Sequence, residues 1–364
     1  MVSSLSDLAD RNFILGFLLP VIVAGLAALA LFQDISLVAG IWTAVKNADE
    51  FAKLTVLILV FWTLAVLLLA FNTSLYRLLE GYIGPFAWIS WFKTRQWKAF
   101  DKEQTAYATR RAEIVEDEKQ QSEKKGPYAG IDAAAAQKLI ELREKKRDKH
   151  VKDTATLRKT FPRERDQVLP TRLGNVIRAF EVYSYYVYGL DSIPGWLRLQ
   201  GVIPDSYSKL IENARAEVDF FVNCCALFAL IAAASLAFAL WQAFPVLQDG
   251  TAPDISVWQH LSACALAAVA SYISYDMAVL RAPEWGDLVR SAFDLYLPDL
   301  VKQLGYTLPD AAADRRGFWG ALASVFVFGT PLNEKYLPKA AVPEPEPAPQ
   351  TSITIIADKI DVTE

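Results

Sequence analysis

Hydrophobic positions in this chain are gathered into four long runs rather than spread at the spacing of a soluble core. Phe13 to Phe32 and Leu54 to Phe71 contain no charged residue. Each approaches the roughly 20 residues that a helix needs to cross about 30 Å of hydrocarbon. Phe220 to Phe244 and Trp258 to Leu280 form a second pair, the latter carrying only Asp276 near its end and His260 near its start. Polar groups at those places reach the interface. The pattern predicts an all-α integral membrane protein with four transmembrane helices in two hairpins and a helical cytoplasmic domain between them.

The intervening polar stretch has its own texture. Tyr76 to Phe100 interleaves Trp88, Trp91 and Trp97 with basic residues, the composition of a helix at headgroup level or one leaving the membrane obliquely. Lys102 to Lys125 and Asp132 to Lys159 read as exposed charged helices, broken at Gly126-Pro127 and Gly130. A packed subdomain begins at Phe161. Beyond the last span, Trp285 to Leu304 spaces Leu288, Phe293, Leu295 and Leu300 as a helix does, and Arg316 to Phe328 is a further helix. Pro343 to Pro347 alternates proline and glutamate, an unfolded linker, and Ile353 to Val362 is a β-prone tail. The expected organisation is a first hairpin over 1–71, a basic helical domain over 72–216, a second hairpin over 217–280, a helical segment over 281–340 and a linker with tail over 341–364.

Composition adds to this picture where it separates charge from hydropathy. The chain is 53% hydrophobic yet 21% charged, so its apolar residues must be segregated. Residues 72–216 hold 26 lysines and arginines against 19 carboxylates, a net +7 that leaves −11 for the rest. The loop over 33–53 has only Lys46 and Lys53, and that over 245–257 has no basic residue, whereas Arg77, Lys93, Arg95, Lys98, Arg215, Arg281 and Arg290 flank the opposite ends. By the positive-inside rule both termini are expected in the cytoplasm of a bacterial inner membrane. Asp7 and Asp10 precede a first run too long for a cleaved signal peptide. Cys224, Cys225 and Cys264 lie in apolar runs, as small hydrophobes rather than a disulfide framework.

With two histidines, His150 and His260, and no glycine-rich phosphate loop, neither a metal site, a cofactor site nor a catalytic triad is expected, and the chain does not read as an enzyme. The run from Arg143 to Lys152 contains Glu144 and Asp148 and reads as a solvated, ion-paired face. Arg163, Arg165, Arg172, Asn175 and Arg178 differ. They surround Gly174 at a helix start, where free N–H groups and guanidinium geometry favour an anion such as a nucleotide or short single-stranded oligonucleotide. The competing account has Arg172 and Arg178 in structural ion pairs with Glu181 or Asp191. In the last span His260, Cys264, Ser271 and Tyr275 share a face suited to lining water, while Ala263, Ala267, Ala270, Ser274 and Ala278 form a small-residue packing face. Asp219 and Asn223 open the third span; an asparagine buried there should face another helix or an aqueous path, and the blander reading is a solvated helix end.

The block Leu169 to Leu199, with Pro-Thr-Arg-Leu-Gly-Asn before a helix and Tyr-Gly-Leu-Asp after it, resembles one in a group of uncharacterised bacterial multi-span membrane proteins. Trp285 to Leu322 resembles the block after the last span of the same group. The order of two spans, cytoplasmic helices, two spans and a helical end is similar to that of bestrophin-like channels. In size and organisation the chain also resembles the membrane-channel effector of the Hailong anti-phage system, a channel controlled by a DNA oligomer. These resemblances imply a channel, with antiviral defence and nucleotide binding as the expected context. Four spans are few for a monomeric transporter, so a homo-oligomer in contact with membrane lipids is expected. The alternative is a non-conducting sensor or scaffold that binds a cytosolic partner, for which the tail could add a strand.

Overall fold

The computed structural model describes residues 11–32, 43, 49–123, 132–249, 255–332 and 336. Among them there are helices and turns but no strand. The sequence breaks at Gly126-Pro127 and Gly130, the Pro-Glu linker and the isoleucine tail lie outside the described residues.

Four helices are long and apolar enough to cross a membrane, which makes this an all-α membrane protein. The first, α1 (Arg11–Leu31), opens with a π-helical turn over Ile14–Leu18. The second, α2 (Glu50–Glu80), begins where the Asp49 carboxylate accepts the Ala52 N–H at 2.7 Å and ends at Gly81, whose φ of 89° lets the chain turn back. A side chain at Gly81 would also press on Pro170, since a Cβ there lies 3.0 Å from that ring.

A short α3 (Pro85–Trp88) and a long α4 (Ser90–Ser122) follow. Trp88 and Trp91 stay exposed around this turn, as tryptophans at a headgroup boundary do. Helix α5 (Ala133–Thr160) pairs with α4 through Arg143 to Glu118 at 3.2 Å, Lys146 to Asp117 at 3.7 Å, and Arg110 to Asp153. The charge-rich helices are therefore paired with each other, and the ion pairs run between two helices where the sequence suggested pairs within one. His150 stacks on Tyr107 in the same seam.

The subdomain after Phe161 consists of α6 (Arg172–Glu181), α7 (Tyr183–Val187) and α8 (Ser192–Leu199). Then come α9 (Asp205–Asp249), α10 (Ile255–Gln303) and α11 (Ala312–Phe328). The expected divisions at 216/217 and 280/281 fall inside α9 and α10. Hydropathy changes there, but the backbone ladder does not stop, and even Pro283 and Pro298 are carried within α10.

The largest buried side chains, including Phe293, Phe318, Leu173, Leu190, Leu199 and Leu297, form a core outside the apolar spans, where α6, α8 and α11 close around α10. Within the membrane the contacts are smaller: Ala24, Phe32, Ile231, Ala232 and Ala267 in one cluster, and Phe13, Phe17, Val21 and Ala65 in another. That division follows from solvent. Apolar surface gains little by leaving lipid, so membrane helices meet through small residues, whereas the water-facing end must bury large ones. The outer face of α2, with Leu54, Leu59, Leu64 and Leu67, is left uncovered.

Candidate functional site at the joint of cytoplasmic and membrane helices

The block Pro170 to Asn175 finds a separate physical use for each position. Pro170 packs on Gly81. The Thr171 hydroxyl caps α6 by accepting the Gly174 N–H at 3.0 Å. Leu173 is fully buried. Gly174 lies so close to α2 that a Cβ would stand 2.4 Å from the Glu80 carbonyl oxygen. Buried Asn175 accepts the Leu169 N–H at 2.7 Å and donates to the Leu169 carbonyl at 3.1 Å and to Gln96 at 3.3 Å, which folds the preceding loop onto the helix.

The remaining N–H groups of the first turn go to the last membrane helix. The Tyr275 hydroxyl accepts from the backbone of Arg172 at 3.1 Å and Leu173 at 3.2 Å. The Arg172 guanidinium reaches the Asp276 carboxylate at 2.7 Å. Their side chains are 52% and 37% exposed, so solvent screens the pair and its value lies in position more than in energy.

The other arginines are also engaged. Arg165 bonds Asp101 at 3.0 Å and lies 4.7 Å over the Trp97 ring, while Trp97 donates to the Arg165 carbonyl. Arg163 covers Tyr186 at 5.0 Å, and Arg178 pairs with Glu181 at 3.4 Å. Burial raises the Glu181 carboxyl above its usual range, with Arg178 opposing the shift. Burial and Asp294 push the Tyr183 hydroxyl up to about 12, where it serves only as a donor. The five residues expected to offer a phosphate site thus clamp α4, α6, α7 and α10 together. At the helix N-terminus expected to hold an anion, the N–H groups of the first turn are taken by Thr171 and Tyr275.

The residues of the last span expected to line water make contacts within the chain. Ser271 donates to the Cys225 carbonyl at 2.9 Å, and Cys264 packs beside Ala24 and Ile231. His260 stacks with Phe32 at 6.0 Å and leans on Phe238 at 5.2 Å. Tyr275 meets α6 as described. All four meet other helices of the chain, as do the buried Ala263, Ala267, Ser274 and Ala278. Helical spacing groups residues on a face without saying where that face points. The outward residues include Ser262, Leu266, Val269 and Tyr272.

Asp219 and Asn223, expected at a solvated end, are buried. Asn72 of α2 donates to Asp219 at 3.1 Å, Arg215 lies 3.7 Å from it, and Asn223 donates to the Gly16 carbonyl at 2.8 Å. The π-helical turn shifts the bonding ladder of α1, and a side-chain amide takes the carbonyl there. These bonds tie α1, α2 and α9 where the apolar spans meet the large-residue core. Sequence inspection did not single out Asn72 or Glu80; both lie where an apolar helix turns polar, among Thr73, Ser74 and Arg77, and neither carries a local pattern that marks it out.

No family model, curated protein or solved structure matches the chain. The fold and the joint define the class, an all-α membrane protein whose polar helices are bonded to the last of its four apolar ones.

Proposed function

We propose that the protein is a homo-oligomeric ion channel of the bacterial inner membrane, gated through its cytoplasmic helices, with both termini and residues 72–216 in the cytoplasm. The observation that supports this reading best is the joint itself. Arg172 and the first turn of α6 hold Tyr275 and Asp276 on α10, so a displacement of the cytoplasmic helices acts directly on a helix that crosses the membrane. A pathway in an assembly would run along outward faces, and Thr55 and Thr63 of α2 and Ser262 and Tyr272 of α10 are exposed there. An anionic effector, a nucleotide or a short oligonucleotide, would act by competing with Asp276 and Asp101 for Arg172 and Arg165.

The test is ion flux from liposomes holding the full chain. Wild type is expected to conduct. Arg172→Ala and Asp276→Asn are expected to change its opening in the same direction, and the double variant no further, since both remove one contact. Folded, assembled protein that passes no ions yet retains a cytosolic partner would replace this reading with that of a membrane-anchored scaffold.

A further inference from the structure

A cavity of about 480 Å³ lies beneath the cytoplasmic end of α2, walled by α6, α8, α9 and α10. Its wall is aromatic, with Tyr76, Phe180, Trp196 and Trp285, and it carries the carboxylates of Glu80, Glu181 and Glu212; Glu181 is paired with Arg178 at 3.4 Å, and Arg215 is the one basic residue on the wall. That cation is already committed. It lies 3.7 Å from Asp219 and 5.8 Å over the Trp285 ring.

Glu80 is the unusual member. It is 8% exposed, and among the described residues no donor bonds its carboxylate and no basic nitrogen comes within 4.0 Å of it. Buried carboxylates are ordinarily paired, because an isolated charge removed from water is costly. A group left so, beside an open volume, has two remedies: hold a proton, or take a cation from outside.

We infer that the cavity binds a small organic cation, an ammonium group on an apolar body, with its charge at Glu80 and its body against Trp196 and Trp285. Three observations select that class. The volume is that of a site for an organic molecule and exceeds what a bare ion fills. The described residues hold no group of three or more His, Cys, Asp or Glu able to bind a metal ion. Aromatic faces attract cations, and Trp285 already accepts Arg215 in this way. Ring and carboxylate together complement an ammonium ion and disfavour an anion.

The probe is phenethylammonium, titrated calorimetrically into the full chain in lipid nanodiscs with empty nanodiscs as blank, beside the neutral 2-phenylethanol. The ammonium is expected to bind saturably, one per chain. Its affinity is expected to fall about tenfold or more in Glu80→Gln, a volume-conserving change that removes one charged partner. The alcohol is expected to bind at least about tenfold more weakly than the ammonium and to be indifferent to that substitution. Trp196→Leu, at a half-exposed position, is expected to weaken the ammonium too, and it decides the matter should Glu80→Gln assemble poorly. No saturable binding, equal affinity for the alcohol, or ammonium binding unaltered by these substitutions would overturn the site and leave Glu80 a buried neutral acid.

Discussion

Replacing Gly174 by alanine sets two well-known effects against each other at one position. In an open helix the change stabilises by about 1 kcal/mol, because glycine has more backbone freedom to lose on folding. At Gly174 the new methyl carbon would stand 2.4 Å from the Glu80 carbonyl oxygen, 3.0 Å from its carbonyl carbon and 2.9 Å from the Thr171 hydroxyl. To restore an ordinary 3.4 Å contact, α2 and α6 must part by about 1 Å, and the obstacle is backbone rather than the end of a flexible side chain. Overpacking of this kind costs about 1–3 kcal/mol. The backbone obstacle places Gly174→Ala near the upper end, so the net loss is about 1–2 kcal/mol after the propensity gain. The control is Gly320→Ala, inside α11, where a Cβ meets nothing within 4 Å. There the propensity gain stands alone. Tryptophan fluorescence of the purified chain during heating should show the Gly174 variant melting a few degrees below wild type and the Gly320 variant slightly above. Equal stabilisation by both substitutions would refute the close approach of α2 to α6, and with it the physical account of the Pro-Thr-Arg-Leu-Gly-Asn block.

Two further predictions follow from charge. Burial raises the Glu181 carboxyl, so the folded chain keeps this proton at pH values where the unfolded chain has released it. Its contribution is fully present below the ordinary glutamate range and is lost as pH rises through the folded value. Glu181→Gln should therefore flatten the fall in melting midpoint as pH rises above the ordinary glutamate range, and an unchanged slope would show that Glu181 titrates normally. For topology, single cysteines introduced at Asp49 and Lys146 should divide in intact cells: the first modified by an impermeant reagent, the second protected. Modification at Lys146 would reverse the proposed orientation.

The four spans were legible because charge-free runs of this length have few other uses, and the α4 and α5 helices because their composition leaves little to bury. Helix length was less legible. Polar residues after Leu280 look like a boundary, yet a helix continues from lipid into water without a break wherever a second surface awaits it, here the core around Phe293 and Leu297. The candidate site was half visible. The block around Gly174 stood out, but an arginine on the page has no partner, and Asp276, 104 residues from Arg172 in sequence, supplies one only after folding. The same limit applies to Asn223, whose acceptor is a backbone carbonyl, and to Glu80, whose significance is the space beside it.

The 49-residue length of α10 gives the joint a mechanical meaning. At about 1.5 Å per residue it is a rod of about 74 Å, gripped at Tyr275 roughly 30 Å from one tip and roughly 42 Å from the other. Pivoted there, a tilt of about 5° carries both tips some 3 Å in opposite directions. Pro283 has no N–H to give to the preceding turn, so the arm beyond the joint has a compliant point about 12 Å from the pivot. Under the proposed gating, a small push on Phe293 or Leu297 would be divided between flexing at Pro283 and swinging the membrane arm, and the stiffness of that one turn would set how much motion reaches the far leaflet.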